Sequence, residues 1–141
     1  MKKLFSIALL AILITTTAFA TSETKVSYVV KTSFRSDFGE IKDVSWGSVS
    51  NYTTASFMQD NKQVTAFYTH KGELIGSSHP ISMDEIPASA KRVFAKKYAD
   101  YNATEAIRFE TKEEFAYFIS AKNENNQRIF KIENGSVSIY K

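Results

Sequence analysis

QVTAFYTHKGEL, residues 63–74, decides the fold once it is set beside QRIFKIENGSVSIYK, residues 127–141. Each is a run of strand-forming residues that ends in a glycine turn, Lys71-Gly72 in one and Asn134-Gly135 in the other. Phe67 precedes Gly72 by the same spacing that separates Phe130 from Gly135. Asn-Gly is the strongest short hairpin signal, because both central positions of a type I′ turn need positive φ. Both stretches therefore read as antiparallel hairpins. In QRIFKIE, Phe130 and Ile132 share one side of a strand, while Lys131 and Glu133 point away. The matched spacing then expects Phe67 to face the core and Tyr68 and His70 to face outward.

Working outward, the same order of elements occurs twice. Residues 25–39 carry Val26, Val30, Phe34 and Phe38 along one helical stripe. Gly39 can end that helix in a left-handed conformation. IKDVSWGSV, NYTTASFMQ, QVTAFYTH and ELIGSSHPI then read as four strands, with Asp60-Asn61-Lys62 as a turn. Next, Ser82-Met83-Asp84-Glu85 resembles a capping box. Pro87 inside a regular helix would be costly, so a short first turn is expected, with the main helix opening on Pro87. Its apolar stripe is Ile86, Ala90, Val93, Phe94 and Tyr98; Lys91, Arg92, Lys96 and Lys97 lie mostly on the other side and read as a solvated face. Four more short strands fit residues 102–141. Phe34-x-x-x-Phe38 matches Phe94-x-x-x-Tyr98, and Ala55-x-Phe57 matches Ala116-x-Phe118. The fold class expected is α+β, a tandem repeat of two helix-plus-four-stranded antiparallel sheet units, at about 25–81 and 82–141.

The N-terminus, MKKLFSIALLAILITTTAFA, has two lysines, an apolar run from Leu4 to Ile14, and a small-x-small site at Ala18-Phe19-Ala20. That layout is a secretory signal peptide over residues 1–20, with 21–141 as the mature single domain. The apolar run is short for a bilayer span, so no membrane span is expected after cleavage. The protein is expected in the periplasm or outside the cell. There is no Cys, so packing rather than disulfides must hold an exported fold. The net charge of +3 falls to +1 without Lys2 and Lys3, which gives nucleic-acid binding no electrostatic support.

The order Phe34-x-x-x-Phe38, Val44-x-Trp46, Ala55-x-Phe57, Ala66-Phe67-Tyr68, Gly72-Glu73-Leu74, Ile86-Pro87 and Lys97-Tyr98 resembles the PepSY-like, beta-lactamase-inhibitor-protein-like secreted domains of the Bacteroidetes. The resemblance spans roughly residues 25–141. It implies a repeated helix-and-sheet fold in an exported protein without established enzymatic activity. The inhibitor that gives the family its name binds a beta-lactamase through a concave sheet surface, but carries disulfides that this chain lacks.

A helix covers one face of its sheet, and the other face of an antiparallel sheet can meet water. On the repeat correspondence, Tyr52, Met58, Tyr68, Phe115, Tyr117 and Ile119 are expected on that open face. An aromatic-rich face of this kind suits a protein or peptide partner. Trp46 falls in register with Ile107 and reads as core. The two histidines, His70 and His79, could approach each other across a hairpin near Glu73, but a metal centre wants three or four converging ligands. They read as polar residues around a turn, with no metal and no cofactor. No Cys nucleophile, Gly-x-Ser-x-Gly elbow, His-Glu-x-x-His pair or phosphate loop occurs. The expected function is a non-enzymatic exported binding module, with an exported hydrolase as a possible partner class. The alternative is a structural or chaperone-like envelope protein without a single specific partner.

Overall fold

The structure, a computed structural model, describes residues 25–140. The signal peptide expected over residues 1–20 lies outside them. The described chain is α+β, with two α-helices and eight strands, antiparallel in every register given below. It divides into two compact units, one running to His79 and the other starting at Pro80.

In the first unit, α1 spans Tyr28–Phe38. Its start is set by Ser27, whose hydroxyl accepts the Val30 N–H at 3.3 Å, a conventional N-cap bond. Gly39 (φ 81°) ends it. Strands β1 (Ser45–Val49), β2 (Tyr52–Gln59), β3 (Lys62–Thr69) and β4 (Leu74–Ile81) follow, each neighbouring the next in chain order. The helix stripe buries Val30 and Phe34 against Ala55, Phe57, Val64, Ala66 and Tyr68. Phe34 meets the rings of Trp46 and Phe57 edge-on at 5.3 and 5.1 Å. Trp46 thus flanks the helix-side core, partly buried, whereas Ile107, its expected counterpart, lies on the other face of its strand.

In the second unit, Met83–Glu85 forms a single 3-10 turn. Glu85 reaches back to accept the Ser82 N–H at 3.1 Å. Pro87 then stands one residue ahead of α2, Ala88–Lys97. Strands β5 (Asn102–Glu110), β6 (Phe115–Lys122), β7 (Gln127–Glu133) and β8 (Ser136–Ile139) are again neighbours in chain order. Ile86, Ala90 and Phe94 pack on Ala106, Ile119, Ala121, Phe130, Ile132 and Val137. Phe130 sits at the centre, ringed by Phe94, Tyr98 and Tyr101 at 5.0, 4.6 and 5.2 Å.

The two hairpins, matched in their Phe-to-Gly spacing, differ by one loop residue. Glu133 pairs with Ser136, which leaves the two-residue loop Asn134-Gly135 with φ of 50° and 77°. In the first unit, the Thr69 N–H donates to the Glu73 carbonyl at 3.0 Å and the Gly72 N–H to the Thr69 carbonyl at 3.0 Å. That loop is His70-Lys71-Gly72, three residues, and the β3–β4 register shifts between Phe67 and Tyr68, just before it. Because side chains alternate, one extra loop residue turns the strand over. Tyr68, not Phe67, therefore joins the helix-side core, and the expectation that Tyr68 faces outward is corrected.

The same slip affects β6. Ile119 lies opposite Phe130 and Tyr117 opposite Ile132, so both share the face that α2 covers. Ile119 is fully buried there. The expected open face also fails on its own terms. Phe67, Ile107, Phe109 and Phe118 point away from the helices, yet all are buried. Both faces of these strands exclude water, so a helix on one face does not leave the other solvated. Lys131 points away from the helix side as expected, but it is buried, and its Nζ holds Glu133 Oε2 at 2.9 Å. A buried ammonium needs such a partner.

Gly72 also makes a close approach. A Cβ there would stand 2.7 Å from Ser33 Oγ and 2.8 Å from Val29 Cγ1 on α1, at φ 82°. Gly72→Ala is expected to cost about 2–4 kcal/mol, from the left-handed backbone and the clash together. Gly135 shares the positive φ but has no atom within 4 Å of its would-be Cβ, so Gly135→Ala should cost only about 1 kcal/mol. Urea unfolding of both variants measures the difference; equal losses would contradict the packed turn.

Candidate functional site

Of the six residues expected on one open face, the structure brings only some together. Tyr68 is fully buried, and its hydroxyl donates to Asp37 Oδ2 on α1 at 3.0 Å. That bond ties the end of α1 to β3. Burial first, then the Asp37 hydrogen bond and charge, push the Tyr68 hydroxyl far above the ordinary tyrosine value. Ile119 is core. Neither can meet a partner. Tyr52 and Met58 lie on the face of β2 away from α1, at its two ends; Tyr52 is half-buried and Met58 is 60% exposed.

Phe115 and Tyr117 are different. Their rings meet edge-on at 5.6 Å. Phe115 opens β6 opposite Glu110, and Tyr117 lies opposite Arg108, so all four side chains project from one face. The Arg108 guanidinium stacks 4.0 Å from the Phe115 ring centroid, within cation–π range. Arg108 Nε also approaches Glu110 Oε2 at 3.1 Å. Phe115 remains 49% exposed, and Tyr117 leans its ring on the α2-side core. The result is a half-exposed aromatic pair with an arginine laid over it; Arg108 Nε lies within ion-pair distance of Glu110 but makes no well-aligned hydrogen bond. Arg108 was not singled out from the sequence. Its signal was available: an arginine two residues before a glutamate, on a strand paired with an aromatic one.

The histidines do not converge. His70 is exposed in the three-residue loop, whereas His79 follows Ser78, which pairs with Thr65 well down the hairpin. About 3.3 Å per residue along a strand places the two roughly 15–20 Å apart. Among the described residues no group of three or more His, Cys, Asp or Glu could hold a metal ion, and no helix is long and apolar enough to cross a membrane.

The fold is similar to that of several Bacteroides proteins of solved structure, at low sequence identity. A protein of Bacteroides eggerthii, whose description proposes a periplasmic location, superposes with a TM-score of 0.71 at 16% identity, over 81% of this chain and 86% of that one. A DUF2874 family protein from Bacteroides uniformis gives 0.71 at 12% identity, over 82% and 86%. A BLIP-like protein from Bacteroides fragilis gives 0.67 at 9% identity, over 84% and 89%. The chain thus has a BLIP-like fold. No family model matches the sequence. No curated protein matches it either. At these identities the likeness concerns the fold alone, and function must be argued from the residues.

Proposed function

We propose that this chain is an exported, non-enzymatic binding module of the PepSY-like kind, and that it holds a protein partner through Phe115, Tyr117 and Arg108. Its two helix-and-strand units are then repeats of one another, and its working place is the periplasm or the medium. The observation that carries the reading is the Arg108–Phe115–Tyr117 stack. Aromatic and arginine side chains are the commonest energetic anchors of protein interfaces. Here they are preorganised, so little side-chain entropy is left to lose on binding. The half-exposed Phe115 ring offers apolar area that a partner can cover. An exported hydrolase is one partner class, by analogy with the inhibitor-like fold. Met58 and Tyr52 offer a smaller secondary patch.

The reading predicts a separation of binding from stability. Phe115→Ala with Arg108→Ala should shift stability by less than about 1 kcal/mol, since exposed stacked pairs contribute little. The same double variant should lose partner capture from envelope and medium fractions, read by mass spectrometry against the wild type. Retained capture by a folded double variant would refute this site.

A further inference from the structure

We infer that Asn134 is a site of spontaneous deamidation, and that its conversion to isoaspartate loosens β8. Asn134 is the asparagine of this chain followed by glycine. It lies exposed in the two-residue loop between β7 and β8. Among the described residues no hydrogen bond engages its side-chain amide, whereas Asn123, in the loop between β6 and β7, is held through both ends of its amide. Asn123 Nδ2 donates to Asp100 Oδ2 at 2.9 Å, and its Oδ1 accepts the Asn125 and Asn126 N–H groups at 3.0 and 2.7 Å. Gly135 places no side chain beside its own nitrogen, and no atom lies within 4 Å of its would-be Cβ. The attacking nitrogen is therefore unshielded.

In the reaction the Gly135 backbone nitrogen loses its proton to hydroxide and attacks Asn134 Cγ. The new N–Cγ bond forms, the Cγ–Nδ2 bond breaks, and ammonia leaves. Water then opens the cyclic imide. Attack at the Cγ carbonyl gives aspartate; attack at the backbone carbonyl gives isoaspartate. Solvent water is the only co-reactant, and the sum is amide plus water going to carboxylic acid plus ammonia. Isoaspartate adds one backbone carbon to a loop whose two residues set the strand register. It also puts a negative charge beside Glu133. β8 is only Ser136–Ile139, and Val137 is its one buried residue, so little holds the strand once the loop no longer fits.

The test is timed incubation of the folded chain at mildly alkaline pH, with peptide mass spectrometry, isoaspartyl methyltransferase labelling and hydrogen exchange. The expected result is a gain of one dalton at Asn134 before Asn123, faster as pH rises, with isoaspartate label and loss of exchange protection in β8. Asn134→Gly keeps a residue suited to positive φ and removes the amide, so it should abolish the label and keep β8 protected. An intact Asn134 in the folded chain, while the urea-unfolded chain converts, would overturn the site. Conversion with unchanged β8 exchange would overturn its consequence.

Discussion

Tyr68→Ala should lower folding stability by about 3–5 kcal/mol, the range for emptying a buried aromatic site. Tyr68 is fully buried among Val30, Phe34 and Ala66, so the variant leaves a cavity and frees the end of α1. Urea unfolding with unchanged m-value reads the loss as a shifted midpoint. A loss under about 1 kcal/mol would return Tyr68 to the surface, where the spacing of Phe67 and Gly72 alone would have put it. Tyr68→Phe keeps the ring and removes only the hydroxyl bond to Asp37, so it should cost about 1–2 kcal/mol.

The same hydroxyl makes stability depend on pH at the alkaline end. Its folded value lies far above the ordinary 10.0 because of burial and then Asp37. Below pH 10 the tyrosine is neutral in both states and the stabilisation is fully present. Above it, only the unfolded chain ionises, so stability falls as pH rises, by up to about 1.4 kcal/mol per pH unit from this one group. Tyr68→Phe should flatten that slope by the same amount; an unchanged slope would contradict the buried hydroxyl.

Phe130→Ala is the second large effect, again about 3–5 kcal/mol. Its ring sits between Phe94, Tyr98 and Tyr101, and it faces Ile119 across the strand pair. Three edge-on or tilted aromatic contacts vanish together, each adding to the area term. The companion Phe94→Ala should fall in the same range, and the double variant should lose less than the sum, because the two rings touch. Additive losses would show that the helix does not pack on Phe130.

These two residues also show what the sequence carried. Phe130 was legible because QRIFKIE alternates cleanly, with Lys131 and Glu133 marking the other side. The stripe Val30–Phe34 was legible from its helical period, and the turns from Gly72, Asn134 and Gly135. Tyr68 was not legible. Phe67 and Tyr68 are both large and apolar, so the period-2 signal vanishes at that point. Only the loop length fixes the side, and His70-Lys71-Gly72 hides one residue more than Asn134-Gly135. Residues 115–119, Phe-Ala-Tyr-Phe-Ile, pose the same difficulty, because a strand buried on both faces reads as a continuous apolar run. Hence Phe115, Tyr117 and Ile119 were all expected on the face opposite to the one they occupy, the α2 side. Phe115 is exposed and Tyr117 half-buried there because they lie near the start of β6, beside Arg108 and Glu110. That arginine joins them through cross-strand pairing, which no linear spacing displays.

The most direct measurement is partner capture by the wild type, by Phe115→Ala with Arg108→Ala, and by Met58→Ala, each first shown to melt as a folded protein. The account predicts that the double variant alone loses the captured protein, while Met58→Ala retains it. Capture that survives in the double variant, or is lost only with Met58, would contradict the binding role assigned to the Arg108–Phe115–Tyr117 stack.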